Sequence, residues 1–171
     1  MALQKIVIFS GLPGSGKSTV SESLAKQLAY PLFSVDPIES AILRSGIQRN
    51  FETGLASYLV AQALAEEQLK IGLSVIIDAV NSVQEARDMW VQLAQRHHAT
   101  LCIIECTLET TVHKKRIEAR VRGLHGIPET TWETVEQVRR EYLPWVENRL
   151  VLHTEHTDEN TIKRALEYIE S

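Results

Sequence analysis

The sequence is poor in cysteine, in long apolar runs and in excess charge of either sign, and each scarcity removes a class of protein. Cys102 and Cys106 are its two cysteines, with no histidine or cysteine cluster beside them, so a zinc site has no support. Their spacing of four places both on the same face of a strand, as small apolar residues suited to a reducing compartment. The longest apolar runs, such as Ser74–Ile77 and Ala99–Ile104, are strand-sized and far short of a membrane span. Met1–Lys5 leads straight into a strand pattern and lacks the apolar stretch and small-residue cleavage site of a signal peptide, so cytoplasmic residence is expected. A net charge of −4 shows none of the basic excess of a nucleic-acid surface. No Pro/Gly-rich tract, repeat or linker divides the 171 residues, and one domain over 1–171 is expected.

Strand-length apolar runs alternate with helix-period segments. Strands are predicted at Leu3–Phe9, Leu32–Val35, Ser74–Ile77, Ala99–Cys106 and Leu150–His153. Helices are predicted at Lys17–Ala29, Pro37–Ser45, Gly54–Lys70, Val83–His97, Thr111–Arg122, Trp132–Tyr142 and Glu159–Glu170. The third helix carries Leu55, Leu59, Ala63 and Leu64 near one stripe. Ser82 with Glu85 three residues on reads as a capping box for the fourth. Five strands separated by helices imply an α/β fold, a parallel sheet covered on both faces.

The most specific feature is Gly11-Leu12-Pro13-Gly14-Ser15-Gly16-Lys17-Ser18, a match to G-x-x-x-x-G-K-[ST] between a strand and an amphipathic helix. Glycines let the backbone wrap a phosphate so that successive N–H groups point inward, and the helix adds its positive end. Gly11, Pro13, Gly14, Ser15, Gly16, Lys17, Ser18 and Thr19 are the expected nucleotide-binding residues. Lys17 would bridge the β- and γ-phosphates, and the Ser18 hydroxyl would ligate Mg²⁺.

Other branches of such proteins are tested by what is missing. The Asp-x-x-Gly and Asn-Lys-x-Asp patterns of Ras-like GTPases do not occur, and no residues remain for the extra domain of large ring ATPases. Open parallel sheets bind ligands at the carboxyl ends of their strands. Asp36 follows strand 2 and Asp78 follows strand 3, so a sheet of order 2-3-1-4-5 would bring both to the rim of the phosphate loop. Asp36 is given the role of base toward an acceptor hydroxyl, and Asp78 that of holding Mg²⁺ or orienting the acceptor; the reverse order stays open. Lys114, Lys115, Arg116, Arg120 and Arg122 precede a Gly/Pro loop, as a mobile lid over residues 114–131 would require. Arg116 and Arg120, four apart on the predicted helix, are expected at the γ-phosphate as catalytic cations, with Arg120 also binding nucleotide. Acceptor contacts are expected between Asp36–Tyr58 and Asp78–Arg87, from Asp36, Arg44 and Asn81, with Glu39, Arg49, Asn50 and Arg87 as further polar candidates.

The Gly11–Thr19 loop, Val35-Asp36, Ile77-Asp78-Ala79-Val80-Asn81 and the Arg116/Arg120 segment resemble the polynucleotide-kinase-like and chloramphenicol-phosphotransferase-like kinases. These belong to a broader P-loop group with adenylylsulfate, gluconate and shikimate kinases and zeta-type toxins. The resemblance implies a three-layer P-loop fold with a helical lid, ATP as donor, Mg²⁺ as cofactor, a base at Asp36 and arginine stabilisation from Arg116–Arg122. Glu39 departs from the polynucleotide kinases, which carry an arginine three residues after the base, although Arg44 lies further along the same helix. A kinase acting on a small-molecule hydroxyl is therefore the leading reading. A nucleotide switch without acceptor, or a nucleic-acid 5′-end kinase, are the alternatives. The acceptor and the oligomeric state are not written in the sequence.

Overall fold

The computed structural model describes residues 3–171. Five parallel strands, β1 (Lys5–Ser10), β2 (Leu32–Ser34), β3 (Val75–Asp78), β4 (Thr100–Thr107) and β5 (Leu150–His153), form one sheet in the order β2-β3-β1-β4-β5. Seven helices connect them among the described residues: α1 (Lys17–Leu28), α2 (Val35–Leu43), α3 (Phe51–Lys70), α4 (Gln84–His97), α5 (Thr110–Ala119), α6 (Trp132–Glu141) and α7 (Glu159–Glu170).

The period-2 geometry of β1 sorts its side chains between two cores. Ile6 and Ile8 join Val75, Ile77 and Ile103 beneath α3 and α4, while Val7 and Phe9 join Ile76, Ile104 and Leu152 beneath α1 and α7. Both cysteines lie in the second core as buried apolar residues, as their spacing predicts. Burying a side chain of this kind contributes about 1.5–3 kcal/mol. The sheet is thus the support on which the loop after β1 rests. Register sets the rim: Phe9 pairs with Asp78, and Ser34 pairs with Asp78 from the other side.

Several local expectations are corrected. The buried face of α3 is Ser57, Ala61, Ala65 and Leu69, whereas Leu55, Leu59 and Leu64 are 42–48% exposed. Small residues face inward where α3 lies close over the sheet, which turns the leucines outward. α3 also starts earlier than predicted, from a reciprocal Asn50–Thr53 capping box. α4 begins after Val83 with no side-chain cap; the Ser82 carbonyl instead accepts from the Leu143 N–H. α2 begins at Val35, placing Asp36 in its first turn, where a carboxylate favours the positive helix end and Pro37 costs no helical hydrogen bond.

α5 stops at Ala119, and Arg120 is extended (φ −89°, ψ 133°). The expected i, i+4 pairing of Arg116 and Arg120 on one helix is therefore not formed. The segment covering the loop is the end of α5 plus an irregular stretch to α6, with the Glu129 carboxylate accepting from the Arg122 and Gly123 N–H groups.

Candidate active site

The phosphate loop follows β1 directly, and Gly11, Gly14 and Gly16 take positive φ angles of 138°, 76° and 87°. At Gly11 the constraint is steric as well, because a Cβ would run into the backbone carbonyl of Cys106. The Lys17 ammonium donates to the carbonyls of Gly11 at 2.9 Å and Leu12 at 3.0 Å, closing the loop on itself. Burial lowers the pKa of Lys17, while Asp78 and then Asp36 pull the other way.

Two braces hold the loop from outside. The Thr154 hydroxyl, at the end of β5, donates to the Ser15 carbonyl at 2.5 Å. His113 of α5 lies 2.7 Å from the Pro13 carbonyl. A carbonyl only accepts, so Nε2 carries the proton of this imidazole. Trp132 packs edge-on against the His113 ring at 5.4 Å, and Arg139 lies over Trp132. Sequence reading passed over both residues: Thr154 sits in no motif, and His113 is hidden within a basic stretch.

The Ser18 hydroxyl donates to Asp78 Oδ2 at 2.7 Å, with Asp78 only 6% exposed. Asp36 lies across the same concavity, a pocket of about 390 Å³ lined also by Lys17, Thr19, Arg116, Arg120 and Arg122. The predicted proximity of loop, carboxylates and lid arginines is thus formed. The arginines divide the work differently from the expectation. Arg116 Nη2 donates to the Thr154 carbonyl at 2.8 Å and the Glu155 carbonyl at 3.2 Å. Arg122, not singled out as a ligand by its spacing, donates to Asp36 Oδ2 at 2.6 Å. Arg120 lies between them, its pKa lowered by burial and next by the neighbouring Arg122. One lysine and three arginines line this small volume with the carboxylates of Glu22, Asp36 and Asp78, and a bound polyanion would offset the excess of positive charge.

Other candidates lie elsewhere. Arg44 caps the end of α2 and is exposed, away from the pocket lining. Asn81 is fully buried; its amide donates to the Phe9 carbonyl at 3.1 Å and accepts from Trp90 Nε1 at 2.9 Å. Arg87 is also fully buried and donates to the carbonyls of Asn81, Leu143 and Pro144, against the rings of Trp145 and Tyr142. Glu39 pairs with Arg49 at 3.2 Å. Trp90 and Trp145 pack the core.

No group of three or more His, Cys, Asp or Glu side chains suited to a metal occurs among the described residues. Mg²⁺ does not need one, since it keeps several waters and takes one or two protein oxygens together with phosphate. The Ser18–Asp78 pair, all hard oxygen, fits that requirement. Among the described residues, no helix is long and apolar enough to cross a membrane.

Comparison with known proteins agrees with this geometry. The AAA domain family model matches residues 6–142. A bifunctional polynucleotide phosphatase/kinase of Schizosaccharomyces pombe is 34% identical over 92 residues, covering 54% of this chain and only 18% of that protein. Among solved structures, a protein of Chloroflexus aurantiacus described as a kinase superposes with a TM-score of 0.80 at 23% identity, covering 98% of this chain and 99% of that one. The APS kinase of Mycobacterium tuberculosis, bound to AMPPNP and APS, has a TM-score of 0.72 at 16% identity, covering all of both chains. The chain belongs to the AAA domain family and has the P-loop kinase-like fold.

Proposed function

We propose that this chain is a Mg²⁺-dependent kinase that transfers the γ-phosphate of ATP to a hydroxyl of a small-molecule acceptor. The observation that carries the reading is the pocket itself: phosphate loop, Ser18–Asp78 pair, Asp36 and three guanidiniums line one concavity. A second carboxylate in that concavity suits a proton-accepting role that nucleotide binding alone does not require.

The loop's inward N–H groups and Lys17 hold the β- and γ-phosphates. Ser18 and Asp78 would hold Mg²⁺, which supplies charge neutralisation at those phosphates when bound. Asp36 accepts the proton of the acceptor hydroxyl as its oxygen forms a bond to the γ-phosphorus. The bond from that phosphorus to the bridging oxygen breaks, its electron pair leaves with ADP, and the proton passes from Asp36 to solvent. Arg120 and Arg116 offset the charge spreading over the transferred phosphoryl group. Among the described residues, Arg122 alone makes a side-chain ion pair with Asp36. It must let go, or swing onto the phosphate, when the acceptor enters. A cytoplasmic setting suits both the ATP and the two free thiols.

The test is transfer from γ-labelled ATP in Mg²⁺ and a metabolite extract. A labelled product should form with the wild-type chain and vanish with Lys17→Ala. Asp36→Asn should lower transfer by about 10²–10⁴-fold, the usual range for a positioned base, while ATP affinity stays within a few fold. Release of free phosphate alone, or full transfer by Asp36→Asn, would refute the reading.

A further inference from the structure

A second concavity, of about 810 Å³, opens between α3, α4 and the middle of α2 at Glu39. It has no lining residue in common with the phosphate pocket, but α2 and the chain after β3 contribute to both. Asp36 and Glu39 lie one turn apart on α2, the first lining the phosphate pocket and the second this one. The loop after β3 is divided the same way, Asp78–Val80 facing the phosphates and Ser82–Val83 the second cavity. Tyr58 of α3 stands at the junction, its hydroxyl accepting from the Asn81 N–H at 3.2 Å.

The lining is apolar at the mouth, with Glu39 and Arg49 on the α2–α3 side and Glu85 on α4. Phe51, Leu55 and Val83 are 78%, 45% and 42% exposed, an apolar rim that water solvates poorly. The single cation lining it is Arg49, whose Nε lies 3.2 Å from the buried Glu39 carboxylate, with Thr53 donating to the same oxygen at 3.3 Å. Glu39 and Glu85 both line it too, so the cavity carries more negative than positive charge. A phosphate or sulfate entering it would meet those carboxylates and a guanidinium already engaged. The volume lies within the ordinary range for small-molecule sites, about 300–1,000 Å³.

We infer that this cavity holds the body of the phosphoryl acceptor, and that the acceptor is an alcohol with an apolar, ring-sized body and no phosphate or sulfate of its own. The inference rests on the kinase reading for the word acceptor, but the site's chemistry stands apart from it. Glu39 is then a specificity residue: it neutralises Arg49 and turns anionic acceptors away. A second copy of this chain seated on the apolar rim is the competing occupant.

The probes are 2-(2-naphthyl)ethanol and its phosphate monoester, which share one body and differ by the anion. Binding to the full chain is followed by ligand-observed NMR, with AMPPNP affinity measured in parallel. The alcohol should bind saturably, and the ester about tenfold more weakly, as like charges are brought together. Leu55→Gln, at a half-exposed position, should weaken the alcohol at least fivefold with AMPPNP affinity unchanged. Glu39→Gln frees Arg49 and should narrow or reverse the preference. If that variant folds poorly, Arg49→Gln should retain alcohol binding and widen the preference instead. Equal binding of alcohol and ester, indifference to Leu55→Gln, or a sedimentation shift from dimer to monomer in Leu55→Gln without a change in probe binding would each overturn the inference. Labelled transfer to an extract component with no probe binding sinks the cavity assignment alone. Probe binding without transfer to any acceptor sinks the kinase reading and leaves the site.

Discussion

Arg122 Nη2 and Asp36 Oδ2 stand 2.6 Å apart, so the segment covering the phosphate pocket is latched to the carboxylate proposed as its base. The latch is local and reinforced. The Ser40 hydroxyl donates to the His125 carbonyl at 3.0 Å, and Gly126, in a left-handed conformation, leaves no room for a side chain against Leu43. The cover and α2 are therefore joined at more than one point, and on the proposed reading an acceptor entering along α2 would have to part them.

Arg122→Gln should loosen that cover. A partly exposed ion pair is worth up to about 1 kcal/mol, so amide exchange over residues 123–130 should accelerate about two- to fivefold. Exchange in β1 and β4 should not change. Equal acceleration across the sheet would mean that Arg122 supports the whole fold rather than the latch.

His113 ties stability to pH. Burial, and next the nearby Arg139 and Arg116, lower its pKa below 6.5, against the opposing pull of the Pro13 carbonyl. Below pH 6.5 the unfolded chain takes up a proton at this imidazole that the folded chain still refuses, so the fold loses stability as pH falls from 6.5 toward the lower folded value. His113→Gln can keep the bond to Pro13 but cannot titrate. Its denaturation midpoint should fall less than that of the wild type over this window; parallel curves would exclude His113 as the group responsible.

Arg87 predicts a large structural effect and no acceptor effect. Its buried guanidinium serves the carbonyl of buried Asn81 and those of Leu143 and Pro144, which lie nearer solvent, and Arg87→Met leaves them without it. A buried acceptor left unpaired costs about 1–3 kcal/mol, and a loss of about that size is expected in urea denaturation, because the Leu143 and Pro144 carbonyls can turn to water. The surviving folded fraction should keep its AMPPNP affinity. A variant as stable as the wild type would show that water replaces the guanidinium.

Gly11→Ala tests the loop. The positive φ alone would cost about 1–3 kcal/mol in a non-glycine residue, and the methyl also meets the Cys106 carbonyl and the Ser15 hydroxyl. AMPPNP affinity should fall at least tenfold by isothermal calorimetry while the far-ultraviolet dichroism stays that of the wild type. Retained affinity would mean that the loop reshapes on binding.

Much of the architecture was legible along the chain because it is local. Five apolar runs alternating with helices implied the parallel sheet, and the Gly11–Thr19 loop followed from its glycine spacing. The order 2-3-1-4-5 entered as the condition that would bring both carboxylates to one rim, and the sheet meets it. Asp36 and Asp78 were located by the rule that parallel strands place ligands at their carboxyl ends. The stripe on α3 was misjudged because helical period says which residues share a face, not which face meets the sheet. Small Ala61 and Ala65 met it, and the leucines did not.

The sequence by itself determined that this chain builds a phosphate loop on a parallel sheet with two carboxylates at its rim. Those features depend on backbone geometry over a few residues. Tertiary structure alone decided that Arg122 is the arginine that reaches Asp36, and that Asn81 and Arg87 serve the core rather than a ligand. It also decided that a second cavity opens between α3 and α4, with an apolar rim and an Arg49–Glu39 pair at its side. Each of those outcomes is a pairing between residues from about 6 to nearly 90 positions apart, made by how helices dock on the sheet, and no spacing along the chain encodes it.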